Sequence, residues 1–96
     1  MRILAIDAGN SRIKWGVHED GSWRVQGWVA TAQPVRLARE WGKLEPPAVI
    51  IATNVAGERV ARSIVSATRR LKRRVRFVTS VASQCGVKNS YDRPSQ

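Results

Sequence analysis

Asp7, Gly9, Asn10, Ser11 and Lys14 fall within eight consecutive residues, Asp7-Ala8-Gly9-Asn10-Ser11-Arg12-Ile13-Lys14, near the start of a 96-residue chain. These residue types at this spacing are a recipe for holding a polyphosphate. Glycine can take positive φ and lets the backbone come close to a ligand. Successive N–H groups of such a turn form an anion-binding nest. Asn10 and Ser11 add donors, Lys14 adds a point positive charge, and Asp7 can hold a Mg²⁺ that screens the phosphates. The same residues also make a good tight turn, because Asp, Gly and Asn favour hairpins on conformational grounds alone. Residue types by themselves leave both readings open.

Two strands must present this stretch. Before it, Ile3, Leu4, Ala5 and Ile6 form the short apolar run of a buried strand. After it, Ile13, Trp15 and Val17 alternate with Arg12, Lys14 and Gly16, the pattern of a half-buried strand. Glu19-Asp20-Gly21-Ser22 is a turn signal, and Trp23, Val25, Gly27 and Val29 alternate through a third strand. These three strands read as an antiparallel meander in which Trp15, Trp23 and Trp28 fill the core or cover one sheet face.

Pro34 suits the first turn of a helix, whose apolar face is Val35, Leu37, Ala38 and Trp41 and whose stop is Gly42. After Pro46-Pro47, the run Ala48-Val49-Ile50-Ile51-Ala52 reads as a buried parallel strand. Asn54 is placed to N-cap a second helix, in which Val60, Ala61, Ile64, Val65, Thr68 and Leu71 recur at helical spacing. Val75 to Val78 make a fifth strand, and the chain turns polar from Thr79 onward. The order β-β-β-α-β-α-β is a meander extended by two right-handed crossovers, a five-stranded mixed α/β sheet.

Composition bounds the function classes. Ninety-six residues make one small domain that buries about two-thirds of its unfolded surface. No apolar run approaches the roughly 20 residues that span a bilayer, and no export leader is expected. One cysteine, Cys85, leaves no internal disulfide and fits a reducing cytoplasm; with the single histidine, His18, it makes no metal-ligand cluster. His18 reads as a strand-end surface residue and Cys85 as a loop thiol. The net charge is +10, but Arg69, Arg70, Lys72, Arg73, Arg74 and Arg76 carry six of the seventeen basic residues, and without them it is +4. That run is either a phosphate-contacting patch or a solvated helix end, where cations also favour the helix dipole. No aromatic residues interleave with it to stack bases, so nucleic acid is not the expected partner.

The element order, with a carboxylate-glycine hairpin between the first two strands, resembles the ribonuclease H-like fold of the actin, hexokinase and sugar-kinase superfamily. Within it, Asp7 to Lys14 looks like the phosphate-binding signature of type III pantothenate kinases. A second stretch, Gly86-Val87-Lys88-Asn89-Ser90-Tyr91-Asp92-Arg93-Pro94-Ser95-Gln96, resembles the segment of that family whose tyrosine contacts pantothenate. Thr53-Asn54-Val55-Ala56 closes the fourth strand as the family tends to.

The resemblance implies a single N-terminal lobe over 1–96 of a longer two-lobe kinase, with 79–96 a loop leading into a catalytic Leu-Gly-x-Asp-Arg motif whose aspartate lies beyond Gln96. It implies transfer of the γ-phosphoryl group of ATP to pantothenate, the first step toward coenzyme A. Asp7 would orient Mg²⁺ through water. Ala8, Gly9, Asn10, Ser11, Arg12, Ile13 and Lys14 would form the phosphate-binding stretch, and Tyr91 would line the pantothenate pocket. A monovalent cation (K⁺ or NH₄⁺), a homodimer and a cytoplasmic location are expected of the complete enzyme, and little turnover of this piece alone. The alternative on the same fold is a nuclease with Asp7 on a catalytic metal and the arginines on DNA, or a degenerate binding lobe. A two-metal nuclease needs further carboxylates converging on Asp7, and Glu19, Asp20, Glu40, Glu45, Glu58 and Asp92 mostly fall in predicted turns or helix surfaces.

Overall fold

The computed structural model describes residues 1–78. Its elements are β1 (Arg2–Ala8), β2 (Arg12–Glu19), β3 (Ser22–Ala30), α1 (Arg36–Trp41), β4 (Val49–Asn54), α2 (Glu58–Thr68) and β5 (Val75–Phe77), with a single 3-10 turn, Arg69–Leu71, extending α2. The strands form one sheet in the order β3-β2-β1-β4-β5. β3, β2 and β1 pair antiparallel, while β4 lies parallel to β1 and β5 parallel to β4. This is the mixed sheet and element order that the sequence predicts.

Alternation divides the sheet into two faces. Leu4, Ile6 and Ala8 of β1, Ile13, Trp15 and Val17 of β2, Val29 of β3, and Ile50 and Ala52 of β4 are buried with Leu37 and Trp41 of α1 and Val60, Ile64 and Ala67 of α2. Trp15 meets Trp41 edge-on, with ring centroids 6.2 Å apart. Trp15 also lies across Gly27, where an added Cβ would stand 2.8 Å from its Cζ2. The other face carries Asp7, Lys14, Thr53, Trp23 and Trp28, so the tryptophans split. Trp15 enters the core, whereas Trp23 and Trp28 stay 52% and 55% exposed on the opposite face. There the Trp23 ring covers Gly16 and stacks edge-on with His18 at 5.0 Å.

Three local expectations need correction. Pro34 is not the first residue of α1: it sits in the preceding turn, whose carbonyl accepts from Leu37 N, and Val35 flanks the helix and is exposed. Asn54 does not cap α2. Its Oδ1 accepts from Ala56 N and its Nδ2 donates to Gly57 O, an Asx turn that hands over to Gly57 at φ 106° as the residue before the helix. Val65 belongs to the apolar periodicity yet is 37% exposed, and Ala67, outside the predicted set, is buried with Val60, Ile64 and Thr68.

Candidate functional site

β1 and β2 are joined through Gly9, Asn10 and Ser11, with Ala8 opposite Ile13 as the last strand pair. Gly9 N donates to Arg12 O at 2.9 Å and closes the turn. Gly9 does not use the positive φ open to glycine; the positive-φ glycines of the described residues are Gly21 and Gly57. Its smallness matters for a different reason, because a Cβ there would press on Arg12 O at 3.3 Å.

The turn is held from outside as well. Thr31, just past β3, donates its hydroxyl to Gly9 O at 2.8 Å and its N–H to Ser11 O at 3.0 Å. On the other side, Val55 N donates to Ala8 O at 3.0 Å. Asn10 and Ser11 are left exposed at the tip. A turn pinned at both flanks presents its donors in one arrangement, which lowers the ordering cost of binding an anion.

Strand register sets the charged row. Asp7 lies opposite Lys14 across the antiparallel β1–β2 ladder and opposite Thr53 across the parallel β1–β4 ladder. Side chains directly opposite one another project from the same face. Thr53 Oγ1 donates to Asp7 Oδ1 at 3.1 Å. Neither Asp7 nor Lys14 is engaged in an ion pair among the described residues. Lys14, Asp7 and Thr53 thus stand in line just below the turn, two of them charged and exposed. A groove of about 380 Å³ opens from them, with Gly16, Trp23 and Gln26 at its far end.

The eight-residue stretch does not act as a block. Asp7 and Lys14 share the open face and Gly9, Asn10 and Ser11 form the tip. Ala8 and Ile13 are wholly buried on the helix-covered face, so only their backbone can reach a ligand. Arg12 lays its guanidinium over the Trp28 ring, 4.5 Å from the centroid. Tyr91 and Cys85 lie outside the described residues. Sequence reading gave Thr31 no role and named Thr53 only in the stretch that closes the fourth strand; their contacts with Gly9 and Asp7 join residues distant in the chain. Among the described residues no three His, Cys, Asp or Glu side chains gather as metal ligands.

A family model described as type III pantothenate kinase matches residues 3–96. The type III pantothenate kinase of Nitrosospira multiformis is 39% identical over 94 residues, covering 98% of this chain and 36% of its own length. That of Nitrosomonas eutropha is 37% identical over 95 residues, covering 98% and 37%. The chain therefore spans little more than a third of the length of these relatives. Among solved structures, Thermus thermophilus RuvC aligns with a TM-score of 0.63 at 15% identity over 82% of this chain and 62% of its own. The same protein in complex with a Holliday junction substrate aligns at 0.64 and 14% identity over 82% and 64%. At such identities the likeness shows the fold, a ribonuclease H-like sheet.

Proposed function

The chain belongs to the type III pantothenate kinase family, and from that premise we propose that it supplies the phosphate-binding lobe of an enzyme that transfers the γ-phosphoryl group of ATP to the primary hydroxyl of pantothenate. The observation that carries this reading is the Lys14–Asp7–Thr53 row standing directly below a braced Gly9–Ser11 turn. Phosphoryl transfer asks a protein chiefly for positioning and charge stabilisation, and this row is built for both.

Asp7 fits Mg²⁺. The ion keeps several waters and binds through one or two carboxylates plus substrate phosphates. Asp7 is exposed, and Thr53 occupies only one of its oxygens. When bound, Mg²⁺ neutralises charge on the phosphates. The chain's own residues do the rest: Thr53 fixes the carboxylate, the Asn10 and Ser11 N–H groups and side chains donate to phosphate oxygens, and Lys14 sets a positive charge against them. Arg12, held by Trp28, adds positive potential beside the tip.

The remaining parts of the reading follow from the family. Residues 1–96 form one lobe of a two-lobe enzyme, with 79–96 leading to the general-base aspartate beyond Gln96. Tyr91 contacts pantothenate. A monovalent cation and a homodimer complete the enzyme, which works in the cytoplasm. No helix among the described residues is long and apolar enough to cross a membrane.

Calorimetric titration of Mg·ATP onto this chain tests the reading. Measurable binding by the parent, lost in Asp7→Asn and in Lys14→Ala, is the expected result. Equal binding by the parent and both variants would overturn it.

A further inference from the structure

The arginine cluster lies far from the phosphate turn and has no part in the reaction above. Asp7 pairs with Thr53 near the end of β4, whereas β5 begins with Val75 opposite Ile50, near the start of β4. The residues just before Val75 therefore stand at the opposite end of the sheet from Asp7. Here α2 ends in the 3-10 turn Arg69–Leu71, closed by Lys72 at φ 58°. Leu71 turns inward, and Arg69, Arg70, Lys72, Arg73 and Arg74 all stay exposed. None of them joins an ion pair among the described residues.

Charge is half of what this end offers. A groove of about 510 Å³ runs between α2 and β5, rimmed by Arg69, Arg73 and Arg74 and floored by Val65, Val75 and Phe77. Phe77 is 43% exposed and Val65 37% exposed. Among the described residues β5 is an outer strand of the sheet, and the groove lies along that edge. A solvated helix end explains the arginines but not an apolar channel between them.

We propose that this groove docks an extended acidic polypeptide segment whose carboxylates alternate with apolar side chains. Arginine forks pair two hydrogen bonds at a time with carboxylates, while apolar side chains of the segment fill the space over Phe77 and Val65. A nucleic-acid backbone would use the charge and leave the apolar floor without a purpose. Stacking of bases needs a series of exposed aromatic rings, and Phe77 is a single one.

Three labelled probes decide it by fluorescence anisotropy on the full chain: a peptide alternating glutamate with leucine and phenylalanine, a polyglutamate peptide of equal charge, and a DNA duplex. The mixed peptide is expected to bind about tenfold more tightly than polyglutamate. The pair Arg73→Glu and Arg74→Glu should abolish binding of both peptides. Phe77→Ser, and separately Val65→Ser in case the first variant does not fold, should erase only the advantage of the mixed peptide. Duplex binding that exceeds both peptides and ignores Phe77→Ser would overturn the proposal in favour of nucleic acid. Equal peptide affinities, or no binding of any probe, would overturn it outright.

Discussion

Thr53 donates its hydroxyl to Asp7 Oδ1 at 3.1 Å, a contact between residues 46 apart in the chain. It fixes one carboxylate oxygen and leaves the other toward the groove. In the proposed site Asp7 holds Mg²⁺, and loss of a group that orients a metal ligand typically costs about 10- to 100-fold in metal affinity. Thr53→Val should therefore lower Mg²⁺-dependent nucleotide binding roughly tenfold, while Thr53→Ser keeps it. Titration of both variants, with and without Mg²⁺, checks this. Parent-like affinity in Thr53→Val would remove the threonine from the site.

Thr31 grips the turn at two points, through its hydroxyl on Gly9 O and its N–H on Ser11 O. Thr31→Val keeps the branched shape and the N–H but loses the hydroxyl. A part-buried hydrogen bond of this kind contributes about 1 kcal/mol. Amide exchange at Gly9 and its neighbours should quicken in Thr31→Val and return toward the parent rate in Thr31→Ser. Exchange that speeds up equally in both variants would show that the hydroxyl contributes nothing.

Gly27 has no room for a side chain, because Trp15 Cζ2 and Cε2 would lie 2.8 and 3.0 Å from its Cβ. Trp15 cannot yield easily, being 7% exposed and packed edge-on against Trp41. Gly27→Ala should destabilise the domain by about 1–3 kcal/mol, the range for overpacking a core. Gly21 gives a contrast: it has open space around it but sits at φ +86°, so Gly21→Ala pays in backbone strain alone. Thermal melts of the two variants check the prediction, with the larger drop expected for Gly27→Ala.

Arg12 and Trp28 form a stacked pair, and cation–π contacts at exposed sites contribute about 0.5–1 kcal/mol. Trp28→Leu should release the guanidinium and weaken Mg·ATP binding about two- to fivefold, with the melting temperature little changed. A Trp28→Leu variant with parent-like affinity would confine the pair to a surface role.

Much of this was legible in the chain because the signals are local. The alternation of Ile13, Trp15 and Val17, the apolar run around Ile50, and the turn residues at 7–11 and 19–22 each report on a few neighbouring positions. What stayed hidden depends on contacts far apart in sequence. Nothing near Thr31 announces Gly9, and nothing near Thr53 announces Asp7; sheet register brings them together. The tryptophans show the same limit. All three lie on strands, but only Trp15 falls on the helix-covered face. Asn54 has the right type for a cap and spends its side chain on an Asx turn instead. Gly9 reads as a positive-φ residue, whereas it keeps an ordinary φ and a Cβ there would stand 3.3 Å from Arg12 O. Tyr91, on which the pantothenate assignment leans, lies outside the described residues.

The most direct test of the central claim is amide chemical-shift mapping of the isotopically labelled chain during a Mg·ATP titration. The proposed site predicts the largest shifts at Gly9, Asn10 and Ser11, with smaller ones at Lys14 and Thr53 and none at Arg69 to Arg74. Shifts confined to the arginine cluster, with the turn unmoved, would mean that the nucleotide binds only as a polyanion and would contradict the assignment of Asp7 to Lys14 as a phosphate site.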